Sequence, residues 1–124
     1  MTAPRQGECW WADLDPTEGH EQAGRRPVLV LSENRYNERS QMIVMVPLTT
    51  KGKRAPPFAL DLGTLAGSRS FALPAQVRAI STSRLLRRLD QDRQQDVERC
   101  LDALLEICGR RPPRGSPANE GGTP

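Results

Sequence analysis

Residues 13–32 read DLDPTEGHEQAGRRPVLVLS, and this stretch decides the fold because it passes from a polar, glycine-hinged loop into a buried strand at Arg25-Arg26-Pro27. Asp15-Pro16 begins a turn, and Gly19 and Gly24 accept backbone angles that other residues resist. Between them Glu18, His20, Glu21 and Gln22 supply a dense set of donors and acceptors. Val28-Leu29-Val30-Leu31 is apolar and β-branched, the pattern of a strand covered on both faces. Proline stands at its first position, where the missing N–H costs least. Arg26 is therefore held by a rigid element, which is what stabilising an anion requires.

Working outward, the chain reads as mainly β with a C-terminal helix. ECWWADL (8–14) is a first strand, with Cys9 and Trp11 on one face and Trp10 on the other. The tryptophans are read as core or interface residues. ENRYNERS (33–40) is a short helix or an irregular excursion, and QMIVMVPL (41–48) is a third, strongly apolar strand. It leads through Thr49-Thr50 into the basic turn Lys51-Gly52-Lys53-Arg54, closed by Pro56-Pro57. Further short strands are expected at 58–62, 70–73, 75–80 and 85–89, with a turn-rich connection at 63–68 and a bend at Pro74. That many short strands at this spacing indicate a small barrel, closed or partly closed, rather than a βαβ sheet.

Val97, Cys100, Leu101, Leu104, Leu105 and Cys108 fall on one stripe at helical period, with Asp90 or Asp92 as N-cap and Gly109 as the stop. The cysteines of this helix are read as small buried hydrophobes. From Arg110 the sequence loses apolar content, so residues 1–109 are expected to form one domain and residues 110–124 a disordered tail.

Three cysteines without a CxxC pair and a single histidine, His20, argue against a disulfide framework or a zinc site. The N-terminus carries no signal-peptide core and no apolar run is long enough to span a membrane, so the expectation is a soluble cytoplasmic protein. Net charge is only +3, yet Lys and Arg outnumber Asp and Glu by seven to two over residues 25–54 and by five to two over 55–90. The basic part of the chain is thus its strand-rich part, which suits a polyanion.

If the second and third strands pair antiparallel, the start of one lies beside the end of the other, and Arg26 and Thr49 converge. No metal-ligand set, Ser-His-Asp or Cys-His constellation accompanies them, so the residues point to a phosphate site needing no cofactor.

Taken together, Trp11, Asp13, Asp15-Pro16, Gly19, the segment Glu21 to Gly24, Arg26-Pro27, Val30 to Ser32, Tyr36-Asn37, Pro47, Thr49-Thr50 and Gln76-Val77 resemble the MazF/PemK-type toxins of bacterial toxin–antitoxin systems. The resemblance spans about residues 7–108 in matching order. It implies an SH3-like or CcdB-like β-barrel, a homodimer, and a metal-independent endoribonuclease that cuts single-stranded RNA at short sequences. It also implies a cognate MazE-like antitoxin whose acidic segment occupies the RNA groove. Carried over residue by residue, the catalytic arginine lands on Arg26, the threonine on Thr49, the loop glutamate on Glu21 and a base-reading glutamine on Gln76.

The implied chemistry is attack by the RNA 2′-OH on its own 3′-phosphate. Arg26 and Thr49 would stabilise the phosphorane, with either Glu21 or His20 accepting the 2′-OH proton. The RNA-binding set is completed by Asp15, Gln22, Gly24, Arg25, Thr50, Lys51, Lys53, Arg54 and Arg78. Two other readings of the chain are a gyrase-binding toxin like CcdB and a non-catalytic nucleic-acid-binding regulator.

Overall fold

The computed structural model describes residues 3–15, Gly19, 24–50 and 56–110. Among these described residues seven strands and two α-helices follow in the order β1 (Glu8–Asp13), β2 (Arg25–Val30), α1 (Asn34–Ser40), β3 (Met42–Thr49), β4 (Leu60–Leu65), β5 (Ser68–Ala72), β6 (Arg78–Ser81), β7 (Leu85–Asp92) and α2 (Gln94–Ile107). All pairings are antiparallel, in the order β4-β5-β3-β2-β1-β7, with β6 beside the first half of β3. The strands at the two ends, β4 and β7, do not pair, so "barrel" describes a curled but open sheet. Among the described residues no helix is long and apolar enough to cross a membrane.

Both faces of the central strands are apolar, and each feeds its own core. Cys9, Leu29, Val46, Leu48, Leu89, Val97 and Cys100 belong to the core under α2, with Trp11 packed against it. Ala12, Val28, Val30, Ile43, Met45 and Ile80 form the core of the opposite face, with Trp10 beside it. The expected division of Cys9 and Trp11 from Trp10 holds, because successive strand side chains alternate.

Several boundaries differ from the sequence reading. β2 begins at Arg25 rather than at Pro27, so both arginines lie within the ladder, Arg25 opposite Asp13 and Arg26 opposite Ala12. Residues 63–68 are not a long connection. β4 runs on to Leu65 past a bulge at Leu62, between Asp61 and Gly63, and Ala66-Gly67, both at positive φ, close a tight hairpin onto Ser68. Pro74–Gln76 forms a 3₁₀ turn ahead of β6, shortening the strand expected over 75–80.

The buried face of α2 is also rotated. Asp96, Val97, Cys100 and Ala103 are buried, whereas Leu101 is 37% exposed and Cys108, read from sequence as buried, is exposed. The cause is a polar lock at the first turn. Arg93 donates to Leu62 O (2.6 Å) and Thr64 O (2.8 Å) of β4. Asp96 accepts from both Arg93 (3.3 Å) and Arg99 (2.8 Å). The helix is thereby docked by its 93–96–99 side. Arg93, not Asp90 or Asp92, is the N-cap, although the Asp92 carboxylate accepts the Gln94 N–H at 3.2 Å. The tail beyond Arg110 lies outside the described residues.

Candidate active site

Val28 pairs with Pro47, Leu29 with Val46 and Val30 with Met45. Continued two residues further, the same register sets Arg26 opposite Thr49. The ladder stops short of that pair, where Pro27 and Pro47 have each removed an N–H donor. A cleft of about 310 Å³ opens there. Arg25, Arg26 and Pro27 of β2 form one wall and Leu48, Thr49 and Thr50 another. The β4–β5 hairpin adds Leu65, Ala66, Ser68 and Ser70, and Trp11 completes the lining.

The groups differ in exposure in a useful way. Arg25 and Thr50 are exposed and Arg26 is half-buried. Thr49 is only 5% exposed and sits where β3 turns to pair with Phe71 of β5. A guanidinium on one strand and a sheltered hydroxyl on its neighbour thus face one cleft, the donors an oxyanion needs. Among the described residues no set of three or more His, Cys, Asp or Glu side chains is gathered for a metal.

The loop before Arg25 is braced at both limbs. Leu14 N–H donates to Gly24 O (2.9 Å), and Gly24 N–H donates to the Asp15 carboxylate (2.9 Å). Gly24 takes φ +75°, the left-handed conformation that its glycine permits. The Asp13 carboxylate accepts the Asp15 N–H at 3.1 Å. Asp15, expected to bind substrate, thus has one carboxylate oxygen engaged by the loop backbone. Arg84 completes the brace, its Nη1 donating to Asp15 O (2.6 Å) and Asp13 O (3.2 Å).

Of the other expected site residues, Gln76 lies in the 3₁₀ turn and Arg78 on β6 opposite Met45. Neither lines the cleft. Arg78 is four β3 positions from Thr49, roughly 13 Å at strand rise. His20, Glu21, Gln22, Lys51, Lys53 and Arg54 lie outside the described residues.

Sequence reasoning missed Ser68 and Ser70, although the alternation Ser-Arg-Ser at the start of β5 sets both on one face. It also missed Trp11 as a cleft residue. Its indole N–H is buried without a hydrogen-bond partner among the described residues. Arg84 carried no local signal at all, since its partners are about seventy positions away in the chain.

Residues 5–108 match the family described as "PemK-like, MazF-like toxin of type II toxin-antitoxin system". Among curated relatives, the endoribonuclease toxin MazF of Escherichia coli (strain K12) is 49% identical over 80 residues, covering 63% of this chain and 68% of that protein. The endoribonuclease MazF9 of Mycobacterium tuberculosis is 32% identical over 108 residues, covering 81% and 92%. The crystal structure of MazF from Deinococcus radiodurans superposes with a TM-score of 0.77 at 28% identity, over 88% of this chain and 99% of that one. An endoribonuclease from a mycobacterial species, solved with its cognate antitoxin, shares the fold at a TM-score of 0.69 and 22% identity, over 91% and 100%. With a family match that runs from residue 5 to residue 108, this chain belongs to the PemK-like, MazF-like toxins of type II toxin–antitoxin systems.

Proposed function

We propose that this chain is a toxin endoribonuclease that cuts single-stranded RNA without a metal, by attack of a 2′-oxygen on the adjacent 3′-phosphorus. The P–O5′ bond breaks, leaving a 2′,3′-cyclic phosphate and a 5′-hydroxyl end. The observation that carries this reading is the Arg26–Thr49 pair on one cleft, in a chain whose curated relatives are named endoribonucleases.

RNA brings its own nucleophile, so the protein has to orient it, neutralise the phosphorane and move two protons. Arg26 offers a planar fork of donors to two non-bridging oxygens. A guanidinium is a poor base, and the roles of Arg26 are charge stabilisation and delivery of a proton to the departing 5′-oxygen. Thr49, donating from a sheltered position, binds one non-bridging oxygen. Glu21 accepts the 2′-OH proton in this scheme, with His20 as the competing base.

Arg25, Thr50 and the basic turn Lys51, Lys53 and Arg54 steer the strand, and Gln76 and Arg78 meet nucleotides beyond the cleft. The catalytic unit spans residues 1–109. It acts as a cytoplasmic homodimer, and a MazE-like antitoxin with an acidic segment silences it by occupying the same groove.

End-labelled single-stranded RNA incubated with the purified protein in EDTA tests the reading. The expected products end in cyclic phosphate, and Arg26→Ala with Thr49→Val abolishes them. Intact RNA, or undiminished cutting by the double variant, would overturn it. A gyrase-binding toxin or a mere RNA binder would leave the RNA whole.

A further inference from the structure

The ladder between β1 and β7 slips by one residue beside the cleft. Ala12 pairs with Leu85, but Trp11 pairs with Arg87, which leaves Leu86 as the extra residue, 48% exposed. Without the slip Trp11 would face Leu86 and Arg87 would stand opposite Trp10, on the other side of the sheet. A bulge re-aims side chains in this way and is common beside active sites.

The face to which Arg87 is turned follows from its neighbours. Cys9 pairs with Leu89, and both are buried in the core under α2, on the same side of the sheet as Trp11. Two positions along each strand, Trp11 and Arg87 share that face. Trp11 also pairs with Pro27 on its other side, and both line the cleft. Pro27, Trp11 and Arg87 are thus one row across three strands, with Arg87 at the outer end, exposed. Arg25 and Asp13 form the next row on this face, and the Asp13 carboxylate is engaged by the Asp15 N–H.

The adjacent arginine has the opposite assignment. Arg88 pairs with Trp10 on the other face, and its Nε lies 3.4 Å from the Glu8 carboxylate, which also accepts from the Trp10 indole N–H at 3.0 Å. Among the described residues no carboxylate stands within ion-pair distance of Arg87.

We propose that Arg87 is a further substrate-binding residue, holding a phosphodiester that flanks the scissile one and extending the cleft across β1 onto β7. This rests on single-stranded RNA as the ligand. The contact is to the backbone, so it adds affinity and salt dependence without base preference.

Arg87→Gln, Arg87→Lys and Arg88→Gln test it, each checked for an unchanged melting temperature. The probe is a fluorescein-labelled, uncleavable 2′-O-methyl RNA 12-mer of mixed sequence, titrated by anisotropy from 50 to 300 mM KCl. Arg87→Gln is expected to weaken binding about fivefold to tenfold at low salt and to flatten the log K against log salt slope by about 0.7, one phosphate's share on a single strand. Arg87→Lys keeps most of the slope, and Arg88→Gln matches the parent in both readings. Binding by Arg87→Gln within twofold of the parent, equal losses from Arg87→Gln and Arg88→Gln, or no binding by the parent would each overturn the assignment. A parent that binds through Arg87 yet leaves ordinary RNA uncut would sink the nuclease reading and leave this contact standing.

Discussion

Replacing Arg84 with alanine removes the side chain that ties the start of β7 to the loop ahead of the arginine pair. Two hydrogen bonds disappear, to Asp15 O at 2.6 Å and Asp13 O at 3.2 Å. Bonds from a charged donor contribute about 1.5–3 kcal/mol each. These two share one nitrogen and one of them is exposed, so about 2 kcal/mol for the pair is the appropriate figure. Taken from a stability of about 5–15 kcal/mol, that loss leaves at least about 99% of molecules folded. Unfolding therefore accounts for almost none of any fall in activity. On the proposed mechanism displacement of Arg26 does account for it, because a shift of about 1 Å at a catalytic group costs on the order of 10²-fold. The expected outcome is a kcat lower by about 10-fold to 100-fold, with a melting temperature lower by no more than about 10 °C. Arg84→Lys regains part of the rate, since one nitrogen makes both bonds. Cleavage of a quenched fluorescent single-stranded RNA at saturation, alongside urea unfolding of the same samples, reads both quantities. A variant that loses the expected stability yet keeps the parent kcat would refute the positioning argument.

Thr49→Val keeps the shape of a side chain that is 5% exposed and deletes only the hydroxyl, so kcat should fall about 10²–10³-fold with the fold intact. Wild-type turnover by that variant would remove Thr49 from the mechanism. Burial pushes the Cys9 and Cys100 thiols from an ordinary 9.0 up to about 12, while Cys108 is exposed. One thiol per chain should therefore react with a disulfide reagent at pH 8, and a fast count of three would contradict the packing. Because the two folded-state values are raised, their contribution to stability is complete below about pH 9 and is lost as pH climbs from 9.0 towards about 12, which alkaline urea titrations would show as a falling midpoint. Gly7 sits at φ +88°, and a Cβ there would stand 2.9 Å from Gln94 Oε1 and 3.2 Å from Gln94 Cα. Gly7→Ala is expected to cost at least about 2 kcal/mol, against about 1 kcal/mol for Gly63→Ala, which has a positive φ but open space; equal midpoints in urea would argue against the crowding.

The apolar run at 28–31 determined by itself that its strand would be buried on both faces, because alternate side chains have to find a core on either side, and the run at 41–48 marked a second strongly apolar strand. The same pattern brought Arg26 and Thr49 together, since antiparallel neighbours bring one start beside one end. Composition and spacing also sufficed for a mainly β fold with a terminal helix. Local sequence did not carry which side of that helix is buried. That was decided by Arg93 and Arg99 donating to carbonyls of β4 while Asp96 accepts from both, an energetic choice made between elements and invisible in the period of either. Nor did it carry the one-residue slip that separates the fates of Arg87 and Arg88, or the reach of Arg84 to Asp13 and Asp15. Pattern dictates what an element is and which way its faces alternate; register and long-range hydrogen bonds are settled only when elements pack, and there a single slipped residue moves a cation from one face of the sheet to the other.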